Sequence, residues 1–211
     1  LNNEKSSFYN NHLMKTLKLI GLLMLLFGNV VAQNADNVGF EFGDFTNWNA
    51  YTGRCCGGTL THTGPVNGRH TIMQNSGFDL NSNNTISFLA PDGGNYSVRL
   101  GNSNVGSEAE RLSTSFLVTS DNTNFTYMYA VILQDPPLHP YNDKPKFEIR
   151  ILDDKGNQIS GPCGYYKVTA GFDTDGWEQL RDIRYKNWTK VTVDLSQYLG
   201  KVMTIEFTTE D

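Results

Sequence analysis

Two pairs of acids are spaced as acid–base chemistry would require: Glu108 with Glu110, and Asp173 with Asp175. Residues two apart on a strand point to one face, so each pair could meet a single substrate as the carboxylates of glycosidases do. The same spacing describes a solvated strand edge or the start of a calcium loop. Asp173-Thr174-Asp175-Gly176 opens like such a loop but lacks the later glutamate of an EF-hand, and a surface loop is the plainer account. His62 and His70 fall in a Gly- and Thr-rich stretch and read as solvated, while His139 stands among prolines with no evident partner. There is no HExxH and no Gly-rich phosphate loop ahead of a helix. Gly101-Asn102-Ser103-Asn104-Val105-Gly106 has the wrong spacing for a nucleophile elbow. The expectation is a chain with no catalytic residues, not an enzyme.

Cysteine chemistry is restricted to Cys55, Cys56 and Cys163. An odd count in an exported protein leaves one thiol over. The expected bond joins one of the adjacent pair to Cys163, or reaches a cysteine beyond residue 211. The spacing fits neither a zinc site nor a CxxC redox motif.

What is left is recognition chemistry. Aromatic faces stack on sugar rings or peptides, and amides and hydroxyls bond to hydroxyl groups. Trp177 follows Gly176 in a loop and is the tryptophan expected at the surface; Trp48 and Trp188 stand at strand starts and are expected in the core.

The elements that carry these residues are strands. Phe147, Ile149 and Ile151 alternate with Glu148 and Arg150; Val191, Val193 and Leu195 with Thr192 and Asp194; Met203, Ile205 and Phe207 with Thr204 and Glu206. This period of two buries one face and wets the other, which is antiparallel sheet with one core side. The run 125–133 (FTYMYAVIL) is apolar on both faces and predicts a central strand covered twice, or one whose aromatic face lines a groove. Asp154-Lys155-Gly156-Asn157 and Pro91-Asp92-Gly93-Gly94 supply turns. Residues 135–145 hold four prolines and form a stiff loop; residues 196–201 could make one helical turn. Many short strands joined by polar turns make an all-β, antiparallel two-sheet β-sandwich, of jelly-roll type.

The start of the chain reads differently. Lys15 and Lys18 precede an apolar run from Leu19 to Phe27, and Val30 and Ala32 are small residues at the cleavage positions. That is a secretory signal peptide over 14–32, too short to span a membrane. Residues 1–13 precede Met14 and read as upstream sequence, leaving 33–211 as a single domain. Removing three lysines and one glutamate with residues 1–32 takes the net charge from −5 to −7. An acidic, unclustered balance excludes nucleic acid and anionic membrane as partners.

Several stretches together resemble the N-terminal jelly-roll domain of large secreted Bacteroidetes surface proteins. They are 38–48 (VGFEFGDFTNW), 51–56 (YTGRCC), 67–73 (NGRHTIM), 97–102 (SVRLGN), 147–150 (FEIR), 162–164 (PCG), 184–189 (RYKNWT) and 202–209 (VMTIEFTT). In that family PKD repeats and a type IX sorting or gliding-motility tail follow the domain. The resemblance implies a secreted or cell-surface module for adhesion, with a surface glycan or host or substratum polymer as partner. Tyr51 and Arg99, in the matching stretches, join Trp177 as candidate binding residues. Relatives continue past residue 211 with a cysteine, a Gly-rich stretch and an aromatic strand, so the resemblance implies that the last strand is missing here. Carbohydrate-binding jelly rolls often hold a structural calcium where first and last strands meet; Glu41 and Asp44 are the corresponding candidate ligands. The alternatives are a non-catalytic accessory domain of a secreted hydrolase and a spacer domain of an adhesin.

Overall fold

The structure, a computed structural model, describes residues 36–211 apart from 105, 162, 163, 173 and 175. The expected signal peptide and upstream segment, Cys163 and the Asp173–Asp175 pair therefore lie outside the described residues. Within them the chain forms eleven strands: β1 (Asn49–Arg54), β2 (Thr61–His62), β3 (His70–Met73), β4 (Ser97–Leu100), β5 (Glu108–Leu117), β6 (Asn124–Gln134), β7 (Lys146–Leu152), β8 (Tyr165–Thr169), β9 (Glu178–Leu180), β10 (Ile183–Asp194) and β11 (Val202–Glu210). The helical pieces among the described residues are three short 3₁₀ turns, one of them the expected turn at Ser196–Tyr198. The fold is an antiparallel all-β sandwich.

One layer is a six-stranded sheet in the order β2-β1-β5-β11-β7-β8, with every pairing antiparallel. Its alternation is the one written in the sequence. Ile149, Ile151, Met203 and Ile205 are at most 1% exposed and pack inward. Each such side chain gains about 1.5–3 kcal/mol from leaving water. The outward positions between them are polar and pair across strands. Arg150 bonds Glu206 at 2.6 Å, Arg111 reaches the same carboxylate at 3.5 Å, and Ser115 meets Thr204 at 2.8 Å.

The other layer covers this apolar face in two pieces. The sheet β6-β10-β9 packs Phe125, Val131, Leu133 and Val193 onto Phe116, Ile149, Met203 and Ile205. The ribbon β3-β4 sets Val98 and Leu100 beside Trp48, Ala50 and Leu112. Phe207 borders both clusters.

Residues 125–133 correct the expectation of a central strand. They lie in β6, at the edge of its sheet, with β10 along one side. The doubly apolar sequence has another cause. Phe125, Tyr127, Tyr129, Val131 and Leu133 face the core, while Met128, Ala130 and Ile132 are half-buried on the opposite face. Ile86 and Phe88, from the long excursion between β3 and β4, line the same space as that second face. Trp188, at a bulge in β10, ties the excursion down by donating Nε1–H to the Ser87 carbonyl at 2.9 Å.

Candidate functional site

The proline loop before β7 and the turn after β8 meet at one rim of the sandwich. Backbone bonds hold them together: the Ala170 amide donates to the Pro145 carbonyl at 3.0 Å, and the Asp135 amide to Asp182 at 2.8 Å. Pro136 and Pro140 each start a tight turn, accepting from the His139 and Asp143 amides, and Pro137, second in the first turn, pre-sets its backbone angle. Gly171 closes the approach at φ +77°; a β-carbon there would lie 2.9 Å from Asp135 Oδ2, so the position suits glycine.

This rim displays two large aromatic side chains to solvent. Tyr141 is 62% exposed and Phe172 54% exposed, and their rings meet edge to face at 4.7 Å. Beside them lies a small polar cluster. Lys144 bonds Asp135 and stands 5.8 Å from the centre of the Phe172 ring. His139 Nδ1 lies 3.5 Å from Asp135 Oδ1, and both atoms are buried without a hydrogen-bond partner. An aromatic step flanked by an acid, an amine and an imidazole can stack on a sugar ring and bond its hydroxyls.

The residues singled out from sequence go to separate places. Trp177 is half-buried: it packs against the core, and the Lys186 ammonium stands 5.9 Å from its ring. The same ammonium also faces Tyr129 and Tyr166, at 5.7 and 5.6 Å. The β8–β9 loop thus exposes Phe172 and tucks in Trp177. Tyr51 sits on β1, its ring 5.2 Å from His62. Arg99 is exposed on β4, opposite Thr71. Trp48 is buried and stacked on Phe40 at 4.6 Å, as a core tryptophan should be.

Glu41 and Asp44 are both engaged by amide hydrogens. Glu41 accepts from the backbone amides of Asn95 and Tyr96 and from the Asn95 side chain, at 3.1–3.3 Å. Gly94 makes room for this carboxylate at φ +100°, where a β-carbon would collide with it. Asp44 Oδ1 accepts from Thr46 at 2.9 Å and from Asn37 at 3.2 Å. Among the described residues no three or more His, Cys, Asp or Glu side chains gather as a metal site would require.

Three other expectations change. Cys55 and Cys56 are bonded to each other, not to Cys163. The chain turns at this point, with Cys56 at φ +72°, and brings the neighbouring sulfurs together across a Cα separation of 3.7 Å. Glu108 and Glu110 are not a solvated edge. Both pair with Arg69, Glu110 through Nε and Glu108 through Nη1 at 3.2 Å. Glu110 is 1% exposed, and burial pushes its pKa up to about 7 against the pull of Arg69. His70, expected in solvent, is buried in β3, and burial lowers its pKa. Its Nδ1 accepts from the Val66 amide at 3.2 Å.

Tyr141, Phe172, Asp135 and Lys144 were missed in the sequence. For Tyr141, Asp135 and Lys144 the signal was the proline-stiffened loop itself, since a rigid loop carrying an aromatic residue presents it at low entropic cost; Phe172, in the turn after β8, had none.

A larger cleft, of about 540 Å³, opens elsewhere, between β4 and β6. Leu112, Phe147 and Phe207 of the six-stranded sheet are among the residues that line it, and Arg99 and Lys190 also border it.

No family model matches the chain, and no curated protein matches it. Among solved structures, TmCBM61 in complex with β-1,4-galactotriose is similar at a TM-score of 0.41 and 15% identity, over 83% of this chain and 86% of that one. The enzymatically active domain of bacteriophage CBA120 tailspike protein 4 is similar at a TM-score of 0.38 and 12% identity. That match covers 82% of this chain and 18% of the tailspike chain.

Proposed function

We propose that this chain is a non-catalytic module of an extracellular or cell-surface protein, and that it binds glycans at the rim formed by Tyr141 and Phe172. One observation carries the reading. Two adjoining aromatic rings stand in solvent where the proline loop and the turn after β8 meet, beside the bonded pair of Asp135 and Lys144. An aromatic pair that serves only packing is buried. This one is exposed, as a face that stacks on a sugar ring must be. Export is supported by the basic-then-apolar start of the sequence and by the Cys55–Cys56 bond, which suits an oxidising compartment.

The non-catalytic part rests on where the acids lie. Glu110 is covered and bonded to Arg69, which also holds Glu108. Neither lines the large cleft.

The test is a glycan array followed by calorimetry on its hits. Tyr141→Ala and Phe172→Ala should each weaken binding by about tenfold or more, as loss of a stacking face does. Their melting temperatures should stay close to the parent's, because both side chains are exposed. A folded protein that binds no glycan on the array, or binding untouched by both substitutions, would sink the assignment.

A further inference from the structure

The cleft between β4 and β6 has walls of an unusual kind. Two are strand edges, and the excursion between β3 and β4 adds a third with Ile86 and Phe88. β4 pairs with β3 on one side, β6 pairs with β10 on one side, and among the described residues no strand lies along the other side of either. The residues lining the cleft run along β4 from Ser97 and on to Ser103, and along β6 from Phe125 to Leu133. Two lengths of main chain therefore face the same gap.

The gap is a break in a layer. β4 and β6 cover the same apolar face of the six-stranded sheet: Val98 and Leu100 over Leu112, Phe125 and Val131 over the cluster of Phe116 and Ile205. Phe207 lies beneath the join and touches both groups. The four residues of β4 match a strand of about 13 Å, at roughly 3.3 Å per residue, before the chain bends at Gly101.

We propose that this cleft is a strand-addition site, which takes an extended segment of a partner polypeptide between β4 and β6 and completes the second layer. The occupant's chemistry follows from the walls. Main-chain N–H and C=O groups repeat along an edge and are met in register by another main chain, which sugars and compact small molecules do not supply. The segment's inward side chains would meet Leu112, Phe147 and Phe207 and must be apolar. Alternate side chains would point outward, toward Ile86 and Phe88 of the excursion and toward Tyr96 and Arg99, and can be polar where they face Arg99. This site is separate from the glycan rim and stands whether or not that rim binds sugar.

The experiment uses the protein with a pool of ten-residue peptides that alternate Val, Ile or Phe with Thr, Ser or Lys. Bound peptides are identified by mass, and amide hydrogen exchange is followed with and without them. Peptide binding should slow exchange about tenfold or more at residues 97–103 and at the β6 amides that do not pair with β10. A bound peptide resynthesised with alternate amides N-methylated should lose that protection. Equal protection by the methylated peptide would mean apolar filling without strand pairing, and overturns the proposal. So would capture of no peptide, amides already slow to exchange in the protein alone, or protection of these edges by oligosaccharides in place of peptides.

Discussion

Glu110 illustrates what burial does to a single side chain. Its ordinary pKa is 4.5, and in the fold it is about 7, because leaving water disfavours the charged form more than Arg69 restores it. Between those values the folded protein holds a proton that the unfolded chain has released. Stability is therefore full below pH 4.5, falls as pH rises through about 7, and is level above. Asp211, also raised by burial, acts in the same sense; His70, lowered by burial, acts in the opposite sense below pH 6.5. Comparing the parent with Glu110→Gln isolates one group. The parent should lose stability relative to the variant between pH 4.5 and about 7, by up to about 3 kcal/mol. Parallel denaturation curves across that range would show that Glu110 titrates normally. The cysteines make a second case at this scale. Trypsin should release residues 55–69 as a peptide two hydrogens lighter than its reduced form. Unreduced protein should take one alkylating group, since three cysteines less the bonded pair leave one. A peptide joining residue 55 or 56 to residue 163 would disprove the adjacent bond.

β6 and the excursion over it show how elements depend on one another. The strand is apolar on both faces because the core lies under one and the segment carrying Ile86 and Phe88 borders the other. Side-chain bonds anchor that segment to β10, among them the one from Trp188 to the Ser87 carbonyl. Trp188→Phe keeps a large ring and removes this donor. It should cost about 1 kcal/mol, as a hydrogen bond of this kind does, and speed amide exchange around Ile86–Phe88 above all. An effect spread evenly over the chain would mean that the tryptophan supports the core and not the excursion.

For the whole molecule, stability comes from the apolar interior between the layers, two clusters that meet at Phe207, with the outer face of the six-stranded sheet given to ion pairs such as Arg150–Glu206. Ile205 is fully buried at its centre and touches both layers' cluster. Ile205→Ala should cost about 2–5 kcal/mol through lost transfer energy and the cavity left behind. Tryptophan fluorescence and far-ultraviolet dichroism should shift together if the layers unfold as one. Separate midpoints for the two signals would mean that the β3-β4 ribbon melts by itself.

Period-two alternation along 147–152 and 202–208 determined the sandwich before any coordinates, because a strand must put successive side chains on opposite faces. The absence of helical period after residue 32 and the turn residues pointed the same way, and the tryptophan nearest the chain start was rightly placed in the core. Tertiary structure alone decided which strand became an edge, which loop aromatic stayed in solvent, and which acids shared an arginine. Those outcomes depend on neighbours far along the chain: Arg69 beside Glu110, Lys186 over Trp177, Ala170 bonded to Pro145. Local sequence sets the direction in which a side chain points; only the folded chain sets what it meets there.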